Sequence, residues 1–371
     1  MALVQDGFGF SHSYERRVWR DVKKGYSHFQ NGDIGIAKIS PCFENRKSTI
    51  FYGLPNGIGA GTTELTILRP IVVDAEFYLF LFQSIWYITE GTKDFTGVVG
   101  QQRVNKEIFT SLVIPIPPIA EQKRITTEIK RYFHFVELIE YNKETLIRNT
   151  LTTRSKILEL AMQGKLVPQD PADEPAAEML KRINPNAKII TDNPHYPQLP
   201  DNWVYVSIAD INSYSPRNIN PSQSPDEKFE LYSVPVFSKG EPEYITGKEI
   251  GSTKQTVSED DILLCKINPH LNRVWIVGNK MNNTKIASSE WIIVRSKSLY
   301  APYAKYYFFC PSFRQLLCSQ VSGVGGSLTR AQPAIVKQYL VPIPPIGEQK
   351  RIVAKIEELI DYINLIQISL D

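Results

Sequence analysis

The sequence has few of the residues that would indicate a metal site, a secreted scaffold or a membrane span. Its four cysteines, in 371 residues, form no CxxC pair and have no histidine at metal-ligand spacing, so reduced thiols are expected. No apolar run approaches roughly 18 residues, and the first residues lack a basic start followed by an apolar stretch. These absences predict a cytoplasmic chain with no signal peptide, membrane span or bound metal.

Sequence motifs for catalysis are also scarce. No GxxxxGK[ST] string is present, and two Gly-rich stretches lack the flanking strand and helix of a dinucleotide site. The Glu-x-Lys spacing at Glu121 and Glu348 occurs in metal-dependent nucleases, but here it begins a predicted helix, where a carboxylate suits the helix dipole. A stand-alone nuclease built on these two residues is therefore disfavoured.

The chain does contain a long internal repeat. IPIPPIAEQKRI spans residues 114–125, VPIPPIGEQKRI spans 341–352, and the two strings differ at two of twelve positions. Further upstream, GDIGIAKISP at 32–41 matches DDILLCKINP at 260–269. The remaining matches pair Asn45-Arg46 with Asn272-Arg273, Arg103 with Arg330, and ELTILRP from Glu64 with EWIIVRS from Glu290. The two copies lie more than half the chain apart, which is too long a period for a solenoid and indicates a whole module used twice.

A helix is predicted after each proline motif, because the prolines end an extended strand. The first helix is predicted over Glu121–Gln163, 43 residues or about 65 Å, and is closed by Gly164 and Pro168. The second continues to Asp371. Both carry apolar seams, which predict pairing as a coiled coil rather than packing of each helix along its own domain. The predicted pairing positions are Ile125, Ile129, Tyr132 and Val136 in the first helix and Ile352, Ile356, Leu359 and Ile363 in the second.

These patterns predict a mixed α/β (α+β) fold with two similar globular domains and two long helices. The second domain opens with Leu-Pro-x-x-Trp at 199–203, far upstream of Asp261, whereas Asp33 lies much closer to the first residue and no such opening precedes it. The first domain is therefore expected to be shorter at its N-terminal side, and the second helix to be the shorter helix. The predicted segments are a first domain at 1–118, its helix at 119–165, a connector at 166–198, a second domain at 199–345 and its helix at 346–371.

Positive charge is concentrated around the repeated AKISP and CKINP segments. Residues 16–47 hold eight basic and three acidic side chains, and residues 261–330 hold nine and two. Basic groups neutralise phosphates, and Asn, Lys and Arg can read base edges, although a solvated basic face is the alternative. The same placements in both copies favour a shared ligand. The candidate DNA contacts are Lys38, Asn45, Arg46, Lys47, Lys266, Asn268, Asn272 and Arg273, with Gln101, Arg103, Thr329 and Arg330 just before the proline motif.

The doubled PIPP-I-x-EQKRI strings, the connector LELAMQGKLVPQDPADEPAAEMLKRI and the opening LPDNWVYVSIADI closely resemble the specificity subunit of type I restriction-modification systems. The resemblance covers essentially the whole chain. It implies that each globular unit is a target-recognition domain for one half of a split double-stranded DNA site. It also implies that the two helices form an antiparallel rod that sets the gap between the halves.

The same resemblance implies the partners and the chemistry. Two methyltransferase subunits, which carry S-adenosylmethionine, are expected to dock on the helical region. Restriction subunits that translocate and cut DNA, using ATP and magnesium, are expected to complete the complex. The chain itself is expected to be non-catalytic and to hold no cofactor, in agreement with the scarcity of catalytic motifs.

A second class of function also fits a duplicated chain with long helices. The alternative is a coiled-coil assembly protein whose two heads bind proteins. Only a DNA-binding chain should lose affinity linearly in the logarithm of the salt concentration, so a salt series separates the two hypotheses.

Overall fold

The computed structural model describes residues 1–9, 11–97, 102–191, 196–279, 282–323 and 329–370. The chain divides into two compact units, residues 1–142 and 143–371, and the division falls inside its longest helix. Both units mix helices and strands, so the predicted α+β class is confirmed.

In the first unit, the sequence IGIA forms the middle strand of a small antiparallel sheet. All four residues of this strand are buried. The strands described in this unit are β1 (Ser27–Gln30), β2 (Ile34–Ala37), β3 (Ser48–Ile50), β4 (Ile58–Gly61) and β5 (Leu65–Leu68). The helices are α1 (Trp19–Val22), α2 (Ala75–Phe82), α3 (Ile85–Thr92), α4 (Glu107–Thr110) and the first part of α5 (Ile119–Met162). The strand order of the sheet is β3-β2-β5.

The second unit repeats this plan and adds to it. After the end of α5, its described helices are α6 (Ala176–Ile183), α7 (Ile208–Ile211), α8 (Ala301–Phe309), α9 (Pro311–Ser319), α10 (Pro333–Val336) and α11 (Ile346–Ile368). The first six strands are β6 (Val204–Ser207), β7 (Asn218–Ile219), β8 (Lys228–Tyr232), β9 (Glu243–Thr246), β10 (Lys254–Thr256) and β11 (Ile262–Cys265). The others are β12 (Val274–Ile276), β13 (Thr284–Ala287), β14 (Trp291–Val294), β15 (Val321–Ser322), β16 (Arg330–Ala331) and β17 (Leu340–Ile343).

Each unit contains its own three-stranded sheet, and the strands pair in the same register in both units. Ile34 of β2 lies opposite Ile50 and Leu68, and Ile262 of β11 lies opposite Ile276 and Val294. In each unit the third strand of this sheet leads to a pair of helices, α2 and α3 or α8 and α9. The repeat read from the sequence is therefore a repeat of structure.

The same ion pair, between a buried aspartate and a partly exposed arginine, lies at the start of both middle strands. The carboxylate of Asp33 accepts two hydrogen bonds from Arg69, at 2.7 and 2.8 Å, and Asp261 accepts two from Arg295, both at 2.7 Å. The Arg69 guanidinium holds the pKa of the Asp33 carboxyl below its ordinary value. Because the guanidinium is planar, two parallel hydrogen bonds to one carboxylate fix the orientation of the two side chains as well as the distance between them.

Outside this shared sheet the units differ. The first unit has a hairpin of β1 and β4, whereas the second has a five-stranded sheet of order β7-β10-β13-β8-β9, in which β8 and β13 run parallel. The extra sheet is built mainly from residues 218–256, between the Leu-Pro-x-x-Trp opening and β11. This extra sheet therefore corresponds to the larger size predicted for the second domain.

The long helix begins and ends within two residues of its predicted limits. It has 44 residues and is followed by Gly164, which has a φ of +67°. A Cβ atom at Gly164 would lie 2.4 Å from Pro200, so both the left-handed backbone and the close approach require glycine. The second helix, α11, has 23 residues.

The connector after α5 is folded onto the second unit. Ala176, Met179 and Leu180 of α6 are buried in its hydrophobic core. Arg351 of α11 donates to Asp173 at 2.7 Å, which ties the connector to the second copy of the repeated motif. The described part of the connector is therefore packed against the second unit.

The apolar seam of α11 packs in the core of the second unit. Ile352, Ile356 and Ile363 are buried there, Leu359 packs against them, and the same core includes Ile157 of α5. Polar contacts also join the two helices, at the positions described next. The core that this seam enters therefore includes α8 as well as the last third of α5.

Arg154 fixes the direction of this helix pair. Its guanidinium donates to Asn364 and to Gln367, and Gln367 donates to Thr150, one turn earlier in α5, at 3.2 Å. Because the contacts move back along α11 as they move forward along α5, the helices are antiparallel. The arginine that interrupts the apolar pattern of α5 specifies the register, a role that buried polar groups often have.

The predicted pairing positions of the first helix have a different environment. Ile125 packs against the core of the first unit and Ile129 is half-buried. Tyr132 and Val136 are 63% and 50% exposed. These two positions are thus a surface of the helix in this chain, rather than a buried helix contact. No helix in the described part of the chain is long and apolar enough to cross a membrane.

Candidate nucleic-acid interface

In each unit, one loop carries most of the predicted DNA contacts. It follows the middle strand of the shared sheet and leads to the strand beside it, β3 or β12. The loop of the first unit spans residues 38–47, and that of the second spans 266–273. The predicted residues on these loops are Lys38, Asn45, Arg46 and Lys47, and Lys266, Asn268, Asn272 and Arg273.

The structure brings the arginine that precedes the proline motif beside this loop. An isolated β-bridge joins Ile39 to Arg103 in the first unit, and the equivalent bridge joins Ile267 to Arg330 in the second. The two separate parts of the candidate site, distant in sequence, therefore meet in both units. Gln101 lies outside the described residues.

Each of these arginines is paired with a glutamate at the edge of the shared sheet. Arg103 donates to both oxygens of Glu64, at 3.0 and 2.8 Å, whereas Arg330 reaches Glu290 by one contact at 3.5 Å. The hydrogen bonds from Arg103 lower the pKa of the Glu64 carboxyl, so this carboxylate stays ionised. The guanidinium fork that could read guanine is thus occupied in the first unit and held more loosely in the second.

A lysine completes the same arrangement. The backbone N–H of Lys38 donates to the Glu64 carbonyl and that of Lys266 to the Glu290 carbonyl, at 2.9 and 3.0 Å. Both lysine side chains are half-buried. Each unit therefore presents one lysine, one glutamate and one arginine at equivalent positions. We call the sets Lys38, Glu64, Arg103 and Lys266, Glu290, Arg330 the two polar triads.

Two of the first-loop candidates stabilise the loop. Arg46 has a φ of 59°, donates to the Gln83 carbonyl at 2.9 Å and lies 5.0 Å above the centre of the Phe8 ring. Lys47 forms an ion pair with Asp6 at 3.4 Å. Their side chains are engaged by the protein. Asn45 is exposed, and its side-chain amide has no hydrogen-bond partner among the described residues.

Asn272 in the second loop is a structural residue. It is only 7% exposed, has a φ of 47°, and donates its amide to the Phe309 carbonyl at 3.1 Å. A side chain in this position cannot reach a base without leaving its pocket, so we assign it to holding the loop against α8. Arg273 is half-buried, with its guanidinium 3.5 Å from the Ile267 carbonyl.

Asn268 is positioned by the other half of the site. It has a φ of 48°, its backbone N–H donates to the Thr329 carbonyl at 2.8 Å, and its side-chain oxygen accepts from the Thr329 N–H at 3.1 Å. The two contacts clamp the loop to the segment before Arg330. The amide nitrogen of Asn268 is left as a donor at the loop surface, beside exposed His270.

Sequence reasoning missed the glutamates of the triads and the exposed loop tip. Glu64 and Glu290 begin the matched strings ELTILRP and EWIIVRS. The repeat therefore already marked one acidic residue near the basic residues of each copy. His270 and Leu271 differ in residue type from Cys42, Phe43 and Glu44, which lie between the matched proline and asparagine of the first copy, so the repeat gives no signal for them. Leu271 is 51% exposed at the tip of the second loop.

Among the residues that the structure describes, no group of three His, Cys, Asp or Glu side chains could hold a metal ion. Glu121 and Glu348 differ in environment: Glu121 is exposed and Glu348 is fully buried. The repeated Glu-x-Lys string therefore does not form two equivalent acidic sites.

Comparisons with known proteins agree with this architecture. The family model described as "Type I restriction modification DNA specificity domain" matches residues 59–149 and 200–370. The chain is 30% identical to the EcoAI specificity subunit of Escherichia coli and 29% to the EcoEI specificity subunit, covering 98% and 96% of this chain and 73% and 72% of those proteins.

A solved structure shows the same fold at lower sequence identity. The crystal structure of the HsdS subunit from Thermoanaerobacter tengcongensis aligns with a TM-score of 0.60 at 15% identity, covering this whole chain and 84% of that one. A second structure, titled as a study of complex assembly in the type I R-M system, aligns at 0.55 and 15%, again over the whole chain and 84% of the other. The duplicated sheet, the long helix and the family match together identify this chain as a member of the type I restriction-modification specificity subunit family.

Proposed function

We propose that this chain reads a bipartite double-stranded DNA target, with one half-site for each unit, on behalf of a type I restriction-modification complex. The observation that carries the proposal is the duplication of the polar triads. Lys38, Glu64 and Arg103 occupy positions in the first unit that are equivalent to those of their counterparts in the second. Two similar ligand surfaces in one chain suit a ligand that offers two similar sites.

The charges of the triads suit a phosphate-bearing ligand. A lysine can hold a phosphate as a point charge, and an arginine can bind a phosphate or read guanine with two hydrogen bonds. The glutamate beside each arginine fixes the position of its guanidinium until DNA competes for it. The exposed Asn45 and the amide nitrogen of Asn268 are the groups we assign to base edges, where an amide favours adenine.

We propose the partners from the family. Two methyltransferase subunits, which would hold S-adenosylmethionine, and restriction subunits, which would use ATP and magnesium, assemble with this chain in the cytoplasm. The exposed apolar residues of α5, such as Tyr132, Val136 and Leu151, are the surface we assign to these subunits. The chain itself neither methylates nor cuts DNA.

A gel shift across a salt series tests the DNA-binding step. Affinity for a duplex should fall linearly in the logarithm of salt concentration, with a slope of about −0.9 for each phosphate neutralised. Lys38→Ala and Lys266→Ala should each reduce the slope by about one phosphate. Lys181→Ala, on the exposed face of α6, is the matched control and should leave the slope unchanged.

The same experiment separates the alternative of two protein-binding heads. A chain whose heads bind proteins would show no salt-dependent affinity for duplex DNA. A salt slope that is unchanged in both triad variants would place the phosphate contacts elsewhere and contradict the proposed interface. Adenine methylation by the purified chain alone would contradict the assignment of catalysis to a partner.

A further inference from the structure

The tip of the second loop, 266–273, is a short turn that carries an apolar side chain. Pro269–Leu271 forms one 3₁₀ turn, in which Pro269 is buried while His270 and Leu271 are exposed. Leu271 is 51% exposed. Isolated apolar residues are common on protein surfaces. This one calls for an explanation because of its place, among the basic and amide side chains of the candidate interface.

The turn is held rigidly at both ends. Asn268 and Asn272, which flank it, both have a left-handed backbone, with φ of 48° and 47°. The Leu271 N–H donates to the Asn268 carbonyl at 3.0 Å, and the Asn272 N–H donates to the Pro269 carbonyl at 2.9 Å. The side chains of both asparagines also hydrogen-bond to backbone groups outside the loop. The position of Leu271 is therefore set before a ligand binds, which lowers the entropy that binding costs.

The loop of the first unit has a different tip. Its aromatic residue, Phe43, is 1% exposed and packs in the core of that unit, with its ring centre 5.9 Å from that of Tyr87. A Cβ atom at Gly91 would lie 2.3 Å from the Phe43 ring, so glycine is needed there to admit the ring. Among residues 38–47, all of which the structure describes, no large apolar side chain is exposed. The exposed apolar tip thus distinguishes the second loop from the first.

The asparagine before the turn offers a hydrogen-bond donor. The side-chain oxygen of Asn268 accepts from the Thr329 N–H at 3.1 Å, so the amide nitrogen is the group that remains for a ligand. An amide distinguishes adenine by using both of its ends, one as acceptor and one as donor. A donor by itself fits acceptors on adenine, guanine and thymine alike. Another group of the loop is therefore needed to distinguish the bases.

An acceptor together with an apolar group is the pattern of an A·T base pair. In the major groove adenine N7 and thymine O4 are acceptors, and thymine adds a C5-methyl group. Asn268 and Leu271, three residues apart in one rigid turn, present a donor and an apolar group that complement this pattern. A G·C pair has no methyl group, so the leucine would gain no such contact there.

We propose that Leu271 is a specificity-determining residue, which packs against the C5-methyl group of a thymine in the half-site of the second unit. The amide of Asn268 donates to the same base pair. The inference rests on the proposed function, because it requires this loop to lie in the major groove of the target. Lys266 and Arg273 on the same loop favour DNA, rather than an apolar protein surface, as the neighbour of the tip.

Deoxyuridine tests the contact, because its base differs from thymine only in lacking the methyl group. Methylation mapping in cells that carry the full chain and its partner subunits first gives the target. Duplexes with this target, each with one thymine replaced by deoxyuridine, are then compared by gel shift. Burial of one methyl group predicts that the full chain binds one of these duplexes about fourfold more weakly than the thymine duplex.

Variants at the tip connect this preference to the leucine. Leu271→Ala should bind the thymine duplex more weakly than the unchanged chain and should bind the thymine and deoxyuridine duplexes equally. Leu271→Met keeps an apolar tip and should retain the preference. Leu365→Ala, which removes a similarly exposed leucine from α11, is the matched control and should also retain it. Equal melting temperatures of the variants show that the fold is unchanged.

Two results would overturn the proposal. One is equal binding of the thymine and deoxyuridine duplexes by the unchanged chain at every position, and the other is a preference for thymine that survives in Leu271→Ala. If either result came with the salt dependence of duplex binding intact, the proposed function would stand and the role of Leu271 would not. Loss of that salt dependence in the unchanged chain would contradict the proposed function and this inference together.

Discussion

At the scale of single residues, the ion pair at the start of each middle strand links stability to pH. Asp33 is almost fully buried while Arg69 is half-exposed. Because the folded-state pKa of Asp33 is lowered, the pair stabilises the fold above the usual range of a carboxyl and loses its effect as the pH falls through the lowered pKa. The pair therefore contributes at neutral pH and ceases to contribute in acid.

Asp33→Asn should lower the free energy of unfolding by about 2 kcal/mol at pH 7, since it removes a charged partner from two hydrogen bonds. The difference from the wild type should begin to shrink as the pH falls below about 4, the ordinary pKa of an aspartate, and should vanish only below the lowered pKa of the folded Asp33 carboxyl. Urea denaturation at several pH values measures the free energy of unfolding of both proteins. Amide hydrogen exchange of β2 reports the same difference at the site of the ion pair. Asp21→Asn, an exposed carboxylate, is the control. A difference that persisted in acid would show that charge is not the cause.

Asn272 should affect stability rather than the choice of bases. Asn272→Gly removes its hydrogen bond to the Phe309 carbonyl and keeps the left-handed backbone, and should cost about 1 kcal/mol. Asn272→Ala adds roughly 1–2 kcal/mol of backbone strain. Denaturation followed by tryptophan fluorescence should rank wild type, glycine, alanine in decreasing stability. A changed methylation sequence in cells that carry the glycine variant with the partner subunits would return Asn272 to the interface.

At the scale of elements, a buried glutamine explains why the EQ pair of the motif occurs twice. Gln122 accepts from the Asp74 N–H at 2.8 Å and donates to the Pro117 carbonyl at 2.7 Å. Gln349 accepts from the Tyr300 N–H at 2.7 Å and donates to the Pro344 carbonyl at 3.0 Å. Asp74 and Tyr300 are the residues that precede α2 and α8. Each glutamine therefore joins the start of one helix to the start of another, and we call this contact the glutamine clamp.

Gln122→Ala should destabilise the first unit by about 2–4 kcal/mol, because it leaves two backbone groups without their partner. Gln349→Ala should have a comparable effect on the second unit. Lys123→Ala and Lys350→Ala, exposed neighbours in the same two turns, are matched controls. Amide exchange at the start of α2 and of α8 should report each loss separately. Loss of less than about 1 kcal/mol in both variants would leave the repetition of this glutamine unexplained.

The elements that could be predicted from the sequence are those that the repeat or a long period marks. The length of α5, its closing Gly164 and the pairing of GDIGIAKISP with DDILLCKINP all depend on local patterns. The five-stranded sheet of the second unit has no counterpart to compare with and is made of short strands. The sequence predicted that the two helices pair, but it placed the contact in the first part of α5, since an apolar stripe indicates burial without indicating which residues cover it.

In the candidate site, too, some features could be predicted from the sequence and others could not. The loops and the arginines before the motif could be predicted as candidates because both copies carry them, and the structure brings them together by a β-bridge. Their detailed roles depend on contacts between distant residues, such as Arg46 with Gln83. A pattern of Asn and Arg cannot distinguish a side chain that holds a loop from one that faces DNA, and the burial of Asn272 favours the first role.

At the scale of the whole molecule, variants in one unit should change one half of the DNA target only. Arg330→Ala should weaken recognition of one half-site by tens-fold or more if its guanidinium reads guanine, about 1–3 kcal/mol. Arg103→Ala should have a smaller effect on the other half, because Glu64 holds both ends of that guanidinium fork. Methylation mapping in cells with the partner subunits measures the two halves separately. Equal losses in both halves from either variant would contradict one half-site for each unit.

The glutamine clamp also bears on how such chains can diversify. Its contact with α2 and α8 is to a backbone N–H, which is the same group whether the residue is the aspartate of one unit or the tyrosine of the other. This contact thus makes no demand on the side chain of the residue that precedes α2 or α8. A genetic crossover within the codons of the repeated motif would therefore join the head of one protein to the helix of another with the glutamine clamp intact, and heads could be exchanged as whole modules.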